Sequence, residues 1–523
     1  MALDEEKAVG SGGELTQAQN PEAGKTPPRP SSRPQSPSGS GIQELSDDST
    51  APILQQIPRA QRRGLFGQFT LISEVANPND YPRTTKWLMT VIVALAAATS
   101  SIGSSIIYTA LAAVAKDLHT TNSVTNLSLA FYLLAMAFTP LWWSSFSETL
   151  GRRTIYLVSF SLFTLFSVLS AVSVNMAMLI LFRVLSGGAA ASVQAVGAGT
   201  VSDLWKPHER GRAMGVFYLG PLCGPGIAPI IGGALTGALG WRSTMWFLVI
   251  FGGVLFFLIF FCLPETLSRR RPDTQTRRSL SSVAKRLITP LHVLAYLRHP
   301  AVFVCVYSAA TVFGSFYLVN ISIQSAFLLP PYSFTATEVG LVYLVPTLAY
   351  ALASILGGRW TDSIMAREAR KAGRIDAAGK LIYLPEDRLR ENIWLAATLY
   401  PAGMIWYGWS VDRHLHWAVA CVAILFFGVG GMLLFGAATT ALTEFMPGRS
   451  SSGVALNNFM RSIFGTVGVV IAQPLIDAVG NGWMCTIVGL FAWVTGNVAI
   501  LCLVVRGPRW RVEMDRKLNA QEK

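Results

Sequence analysis

Two arginines sit where charges are scarce. Arg183, in Leu179-Ile180-Leu181-Phe182-Arg183-Val184-Leu185, and Arg461, in Leu456-Asn457-Asn458-Phe459-Met460-Arg461, both lie inside long apolar stretches. A charge inside a bilayer costs about 2.5–3.5 kcal/mol on insertion scales, so it faces a cavity or a partner. Arg183 has a second outlet, because a long side chain near a helix end can reach the headgroups. Arg461 lies deeper, and that escape is harder. Tyr108 (with Ser104 and Ser105), Gln194, Asn320, Gln324, Asn457 and Asn458 are further polar groups in apolar surroundings. They either line a polar-spotted cavity or bond between helices. A second set lies at polar joints: Glu148, Asp203, Asp362 and Glu444, with Arg152, Arg153, Arg210 and Arg449 within reach. These charges can latch one side of a moving structure, or they can simply be solvated. No Asp or Glu falls in the middle of an apolar stretch, so the simplest kind of intramembrane titrating group is missing. Nothing resembles a phosphate loop, a His/Cys metal cluster or an activated nucleophile. The residues suit binding and gating, not catalysis, and they imply no cofactor and no metal.

The elements that must position these groups are membrane helices. The chain has 523 residues, 51% hydrophobic and only 14% charged; soluble domains carry about 25% charged residues. After Lys86 the sequence becomes a series of apolar segments about as long as a helix needs to cross a bilayer. Spans 1 to 12 are expected at about 87–110, 124–146, 154–174, 177–201, 212–236, 241–263, 302–327, 337–357, 393–411, 417–442, 452–476 and 482–505. The six cysteines sit in these apolar stretches without metal or pairing patterns and read as small core residues. Residues 1–60, rich in Pro, Ser and Gly, read as a disordered tail that cannot bury enough surface to order itself. Residues 61–86 read as a lead-in near the membrane surface.

Span 5 is the most unusual segment. It contains Gly220-Pro221, Gly224-Pro225, Ala228-Pro229 and Gly232-Gly233, stacked at a four-residue step along one helix face. In water each interior proline would cost a helix about 3 kcal/mol. In a bilayer neighbouring helices can re-satisfy the freed groups. A face of small residues admits close approach by another helix. Packing alone explains the glycines; three prolines in register suggest a stiff, bent helix at a moving interface.

Charge sets orientation. With the N-terminus inside, inside loops and tail carry 28 Lys and Arg and outside loops carry three, Lys116, Arg242 and Arg413. This is a positive-inside pattern with both termini cytosolic. It also accounts for the net charge of +13 without a nucleic-acid partner. The chain repeats itself as well. Asp203-Leu204-Trp205-Lys206-Pro207 after span 4 matches Glu444-Phe445-Met446-Pro447 after span 10, and Gly215-Val216 matches Gly453-Val454. Two six-helix halves, 87–263 and 302–505, are therefore expected. A basic linker at 264–301 joins them, and a cytosolic tail at 506–523 follows. Related halves around a midplane site are the physical basis of alternating access.

These motifs carry a resemblance over about 60–520. The chain resembles the major facilitator superfamily, specifically the twelve-span drug:proton antiporters of fungi. Glu148…Gly151-Arg152-Arg153 is similar to that superfamily's cytosolic signature after span 2. It departs from the signature in Ser144, where Gly is usual, and in Glu148-Thr149, where Asp-Arg is usual. Gly358 and Asp362 resemble its second-half copy. Arg183-Val184-Leu185-Ser186-Gly187-Gly188 resembles the motif whose arginine is linked to proton transfer. Gly220 to Gly233 resembles the antiporter motif. Leu263-Pro264-Glu265-Thr266 and Ser451-Ser452-Gly453-Val454…Arg461 look like the quinidine-resistance-type branch. The resemblance implies an all-α membrane protein of twelve helices in two pseudo-symmetric halves. It implies a monomer in the plasma membrane that exports small amphipathic compounds (drugs, toxins, polyamines or secondary metabolites) in exchange for protons. Two other readings stay open. One is a transporter of a single metabolite such as an organic acid, which the two embedded arginines would suit. The other is a membrane sensor that binds ligand without moving it.

Overall fold

The structure is a computed structural model that describes residues 56–267, 289–375, 381, 391–446 and 450–521. Among these residues ten helical segments are long and apolar enough to cross a membrane. One of them is two spans joined at Gly480, within the helical run Ser450–Gln521. The helix Glu391–Asp412 supplies the remaining span. The twelve expected spans are thus all helical. Several run beyond their apolar stretches, because polar turns can continue a helix once it leaves the apolar layer. Span 5 is Pro207–Leu239. Span 8 opens as Ala336–Val342 and continues as Leu344–Lys371. Two spans are jointed. Span 1, Arg83–Ser105, passes through a 3-10 turn at Tyr108–Ala110 into Leu111–Asp117. Span 4 is Met176–Ala190 followed by Ser192–Leu204.

Caps show why the helices begin where they do. Thr121 and Asn175 accept the backbone N–H of Val124 and Met178 at the starts of span 2, Asn122–Leu150, and span 4. Thr335 and Glu338 form a reciprocal capping box at the start of span 8. Glycines end them. Gly151, at φ 96°, separates span 2 from span 3, Arg152–Ala171. Gly240 separates span 5 from span 6, Arg242–Cys262, at φ 82° and ψ 168°. Gly480, between spans 11 and 12, adopts φ 80° and ψ 167°. The same rare backbone geometry at corresponding turns of the two halves is the internal repeat written in dihedrals.

Span 5 stays helical through Pro221, Pro225 and Pro229. Its small residues form two faces, where the sequence suggested one. A Cβ on Gly220 would overlap the Ala94 carbonyl, one on Gly224 would reach Ser101, and one on Gly232 would overlap the Ile106 carbonyl. That face is locked against span 1, inside its own half. Gly226 and Gly233 instead abut Thr347 and the Ala336 carbonyl of span 8, and Gly340 of span 8 abuts the Pro229 carbonyl. Thr337 Oγ1 donates to Gly233 O at 3.4 Å across this seam. The second face is the one that joins the two halves. Near the other end of span 5, a Cβ on Gly211 or Gly215 would meet nothing within 4 Å. The halves also meet through spans 2 and 11. Thr466 Oγ1 donates to Ala130 O at 3.2 Å, and Phe138 packs edge-on to Phe459 with ring centroids 5.0 Å apart.

The lead-in is folded onto the first half. Leu71 N–H donates to Phe261 O at 2.8 Å, and Phe66 and Phe69 each lie 5.9 Å from the Phe260 ring. Arg63 pairs with Glu74, which is 1% exposed, and also donates to Leu267 O. Residues 1–55, most of the linker and most of the 376–390 stretch lie outside the described residues.

Candidate functional site

Two clusters gather the polar groups singled out above. One lies at the lead-in end, the other at the centre.

At the lead-in end the loop after span 2 is tied down by backbone chemistry. Arg153 is fully buried. Its five N–H groups go to five carbonyls: Leu65, Phe66, Ile259, Phe260 and Leu263. Three of these carbonyls lie at the C-terminal end of span 6, where those of Phe260 and Leu263 would otherwise lack intrahelical donors and Ile259 O also accepts Leu263 N–H. A cation there is also favoured by the helix dipole. Arg153 is therefore held by backbone carbonyls, where an acidic partner was expected. Glu265 completes the knot. Its carboxylate accepts the backbone N–H groups of Arg152, Arg153 and Leu267 at 2.9, 3.2 and 3.0 Å. Burial pushes the Glu265 carboxyl above the ordinary glutamate range; the three N–H donors oppose this and the Glu74 carboxyl adds to it. A Cβ at Gly151 would overlap this carboxylate, which is a second reason for glycine there.

One of the expected charge pairs forms. Arg152 Nε lies 3.3 Å from Asp203 Oδ2, and its Nη1 donates to Ser147 Oγ at 2.6 Å. Gly199 leaves the room its guanidinium occupies. Arg210 donates to Ser202 O instead of to a carboxylate. Glu148 is exposed and pairs with none of Arg152, Arg153 or Arg210. It sits near the end of its helix, Asn122–Leu150. The side chains of Asp362 and Glu444, and residue Arg449, lie outside the described set.

At the centre the two arginines sit among aromatic rings. Arg183 is fully buried. It stacks over Tyr132, 4.4 Å from the ring centroid, and its Nη1 donates to Gly103 O at 2.7 Å. Its Nε and Nη2 have no protein acceptor. Gly103 and Gly187 create the slot: a Cβ on either would run into Tyr132. Arg461 lies 4.3 Å from the Phe313 ring centroid and 5.9 Å from that of Phe435, and its Nε is buried without an acceptor. Among the described residues no carboxylate lies within ion-pair distance of either guanidinium. Tyr108 bridges the halves. It stacks on Tyr343 at 5.5 Å and tilts against Tyr317 at 6.5 Å.

The neutral candidates divide. Gln194 donates to Ser100 at 3.2 Å and Asn457 to Thr439 at 3.3 Å, while the Asn457 carbonyl oxygen is buried without a donor. Asn320 donates to Phe316 O within its own helix, Pro300–Leu328, and its backbone carbonyl accepts from Tyr343. Asn320 thus braces its helix. Gln324 is buried farther along the same helix. Asn458 is partly exposed and shares a flank with Arg461. Sequence reasoning missed Tyr132, Tyr317, Phe313 and Phe435. Glycines at 103 and 187 were the available signal, but nothing in sequence pairs them with a tyrosine in another span.

Comparison with known proteins agrees with this architecture. The family model of the Major Facilitator Superfamily matches residues 93–469. The MFS antiporter QDR3 of Candida albicans is 32% identical, over 89% of this chain and 84% of that protein. Quinidine resistance protein 3 of Saccharomyces cerevisiae is 27% identical, over 88% of each. A crystal structure of the peptide transporter POT superposes with a TM-score of 0.62 at 13% identity, covering 83% of this chain and 97% of that one. At that identity it speaks to the fold alone. A matching family model over most of the chain, a relative above 30% identity along nearly its full length, and two helical halves around a shared centre place this protein in the major facilitator superfamily, in its quinidine-resistance-type branch.

Proposed function

We propose that this protein is a plasma-membrane exporter of small amphipathic organic compounds, driven by protons entering the cell, with both termini cytosolic. The observation that carries it is the seam between spans 5 and 8. Gly226, Gly233 and Gly340 allow backbone-close contact between the two halves at one end, while Gly211 and Gly215 near the other end of span 5 face open space. A close-packed seam between the halves at one end is the kind of contact that alternating access must make and break. The positive-inside pattern makes the lead-in end cytosolic, so this seam lies on the external side. The names of relatives support efflux: besides the two above, an efflux pump, radE, of Floropilus chiversii is 32% identical over 78% of this chain and 78% of its own length.

In this reading Arg183 and Arg461 hold the substrate region, Arg152 and Asp203 latch the cytosolic side, and the aromatic rings bind apolar parts of the cargo. Proton coupling then runs through groups at the span ends, since neither central arginine has an acidic partner among the described residues. Purified protein in vesicles, given labelled compounds and an imposed pH gradient, tests the proposal. Uphill movement of at least one compound with the gradient is expected. Ligand binding without flux would leave a sensor.

A further inference from the structure

Arg461 has its flank covered and its N–H edge uncommitted. The guanidinium packs on Phe313 and Phe435, donates to no described side chain or carbonyl, and has no carboxylate within ion-pair distance among the described residues. Its Nε is buried without an acceptor. Arg183 repeats this state in the other half, with two N–H-bearing nitrogens unpaired against one bonded to Gly103 O. Tyrosines link the two: Tyr132 under Arg183, and Tyr108 against Tyr317 and Tyr343. Arg461 as a whole is half-buried, but its covered flank and its buried Nε have lost their share of water, and a cation so placed is incompletely compensated. Aromatic faces recover part of this. The uncommitted N–H edge leaves room for an acceptor from outside the protein, water or an anion.

We infer that the central region selects small aromatic organic anions, with Arg461 reading the anionic oxygens and Phe313 and Phe435 bordering the ring. This rests on the transport reading above and names its substrate class. A planar guanidinium is suited to it, because its fork matches two oxygens of a carboxylate or sulfonate. Arg183 is a positioning residue, held by Tyr132 and Gly103, that adds positive potential. The same two charges repel organic cations, since no acidic side chain among the described residues neutralises them.

The test uses three probes of one ring size: benzenesulfonate, which stays charged at any working pH, neutral benzenesulfonamide, and the cation trimethylanilinium. Purified full-length protein is assayed for a melting shift with each probe, and vesicles for flux of the anion and the cation. Benzenesulfonate is expected to stabilise the wild type and to move; the other two are expected to do neither. Arg461→Gln should lower the benzenesulfonate affinity at least tenfold. Arg461→Lys keeps the charge but loses the fork and should fall between; it stands as the test if R461Q does not fold. A stabilisation by benzenesulfonate without flux would keep the anion site and overturn the transport reading. Equal shifts from all three probes, stabilisation by the cation alone, no shift from any, or an anion affinity unchanged in both variants would overturn the inference.

Discussion

Glu265 shows how much one side chain can hold when it accepts several backbone donors. Both its oxygens are occupied by N–H groups, from Arg152 and Leu267 on one and from Arg153 on the other. Glu265→Gln offers one acceptor oxygen, and its amide N–H must face a backbone N–H. Leaving one buried donor unsatisfied costs about 1–3 kcal/mol, so E265Q should melt lower than the wild type at neutral pH. The pH dependence has a definite sign. The folded carboxyl binds its proton more tightly than an ordinary glutamate. The folded state therefore holds more protons than the unfolded one between the two pKa values, and stability is lost as pH rises through that window. Wild-type stability relative to E265Q should grow as pH falls from neutrality toward the ordinary value of 4.5. Melting curves of both proteins across that range check it, and a flat difference would remove burial as the dominant influence on Glu265. None of this was legible in the sequence. Leu263-Pro264-Glu265-Thr266 was recognisable as a motif, but the partners of Glu265 are backbone N–H groups, and these leave no mark in residue types. Arg153 was misread for the same reason: its partners are five carbonyls.

Span 5 carries two interfaces on one helix, and they predict different failures. The face of Gly220, Gly224 and Gly232 packs span 1 within the first half. Gly224→Leu should therefore damage that half itself and lower surface abundance together with transport. The face of Gly226 and Gly233 packs span 8 across the seam. Gly233→Val should leave each half intact and hold the seam apart, favouring the state open to the outside. Gly215→Ala, with nothing within 4 Å of the added atom, should be neutral. A cysteine placed at Thr337 reports the seam. An impermeant thiol reagent should label it faster in the Gly233→Val background than in the wild type, and faster than in the Gly215→Ala background. Equal labelling in all three would mean that the seam does not open. The four-residue step was visible in the sequence because helical period is a local property. The second face was not, since Gly226 falls off that step, and it and Gly233 matter here only once span 8 is beside them.

At the scale of the whole molecule the sequence was at its most informative. A bilayer demands apolar segments of near-fixed length, and all twelve emerge as helices, with Gly240 and Gly480 marking the same turn in each half. Orientation follows from loop charge, so tags on both termini should resist external protease in intact cells; cleavage without permeabilisation would reverse the topology. The energy source is a property of the whole molecule too, and the central charges constrain it. A monovalent anion leaving while one proton enters moves two charges in the same electrical sense. Each is worth about 2.3 kcal/mol per 100 mV, so an inside-negative potential should drive this exchange about twice as strongly as it would drive a neutral cargo exchanged for one proton. A cation exchanged for one proton would feel no potential. In vesicles loaded with benzenesulfonate, an acidic exterior alone should support export, and an inside-negative potential set by potassium and valinomycin should accelerate it. With both gradients clamped at zero, concentrative export should stop. Export that continues uphill under that clamp would exclude protons as the driving ion, and export indifferent to potential would show that the charge movement is not that of an anion exchanged for one proton.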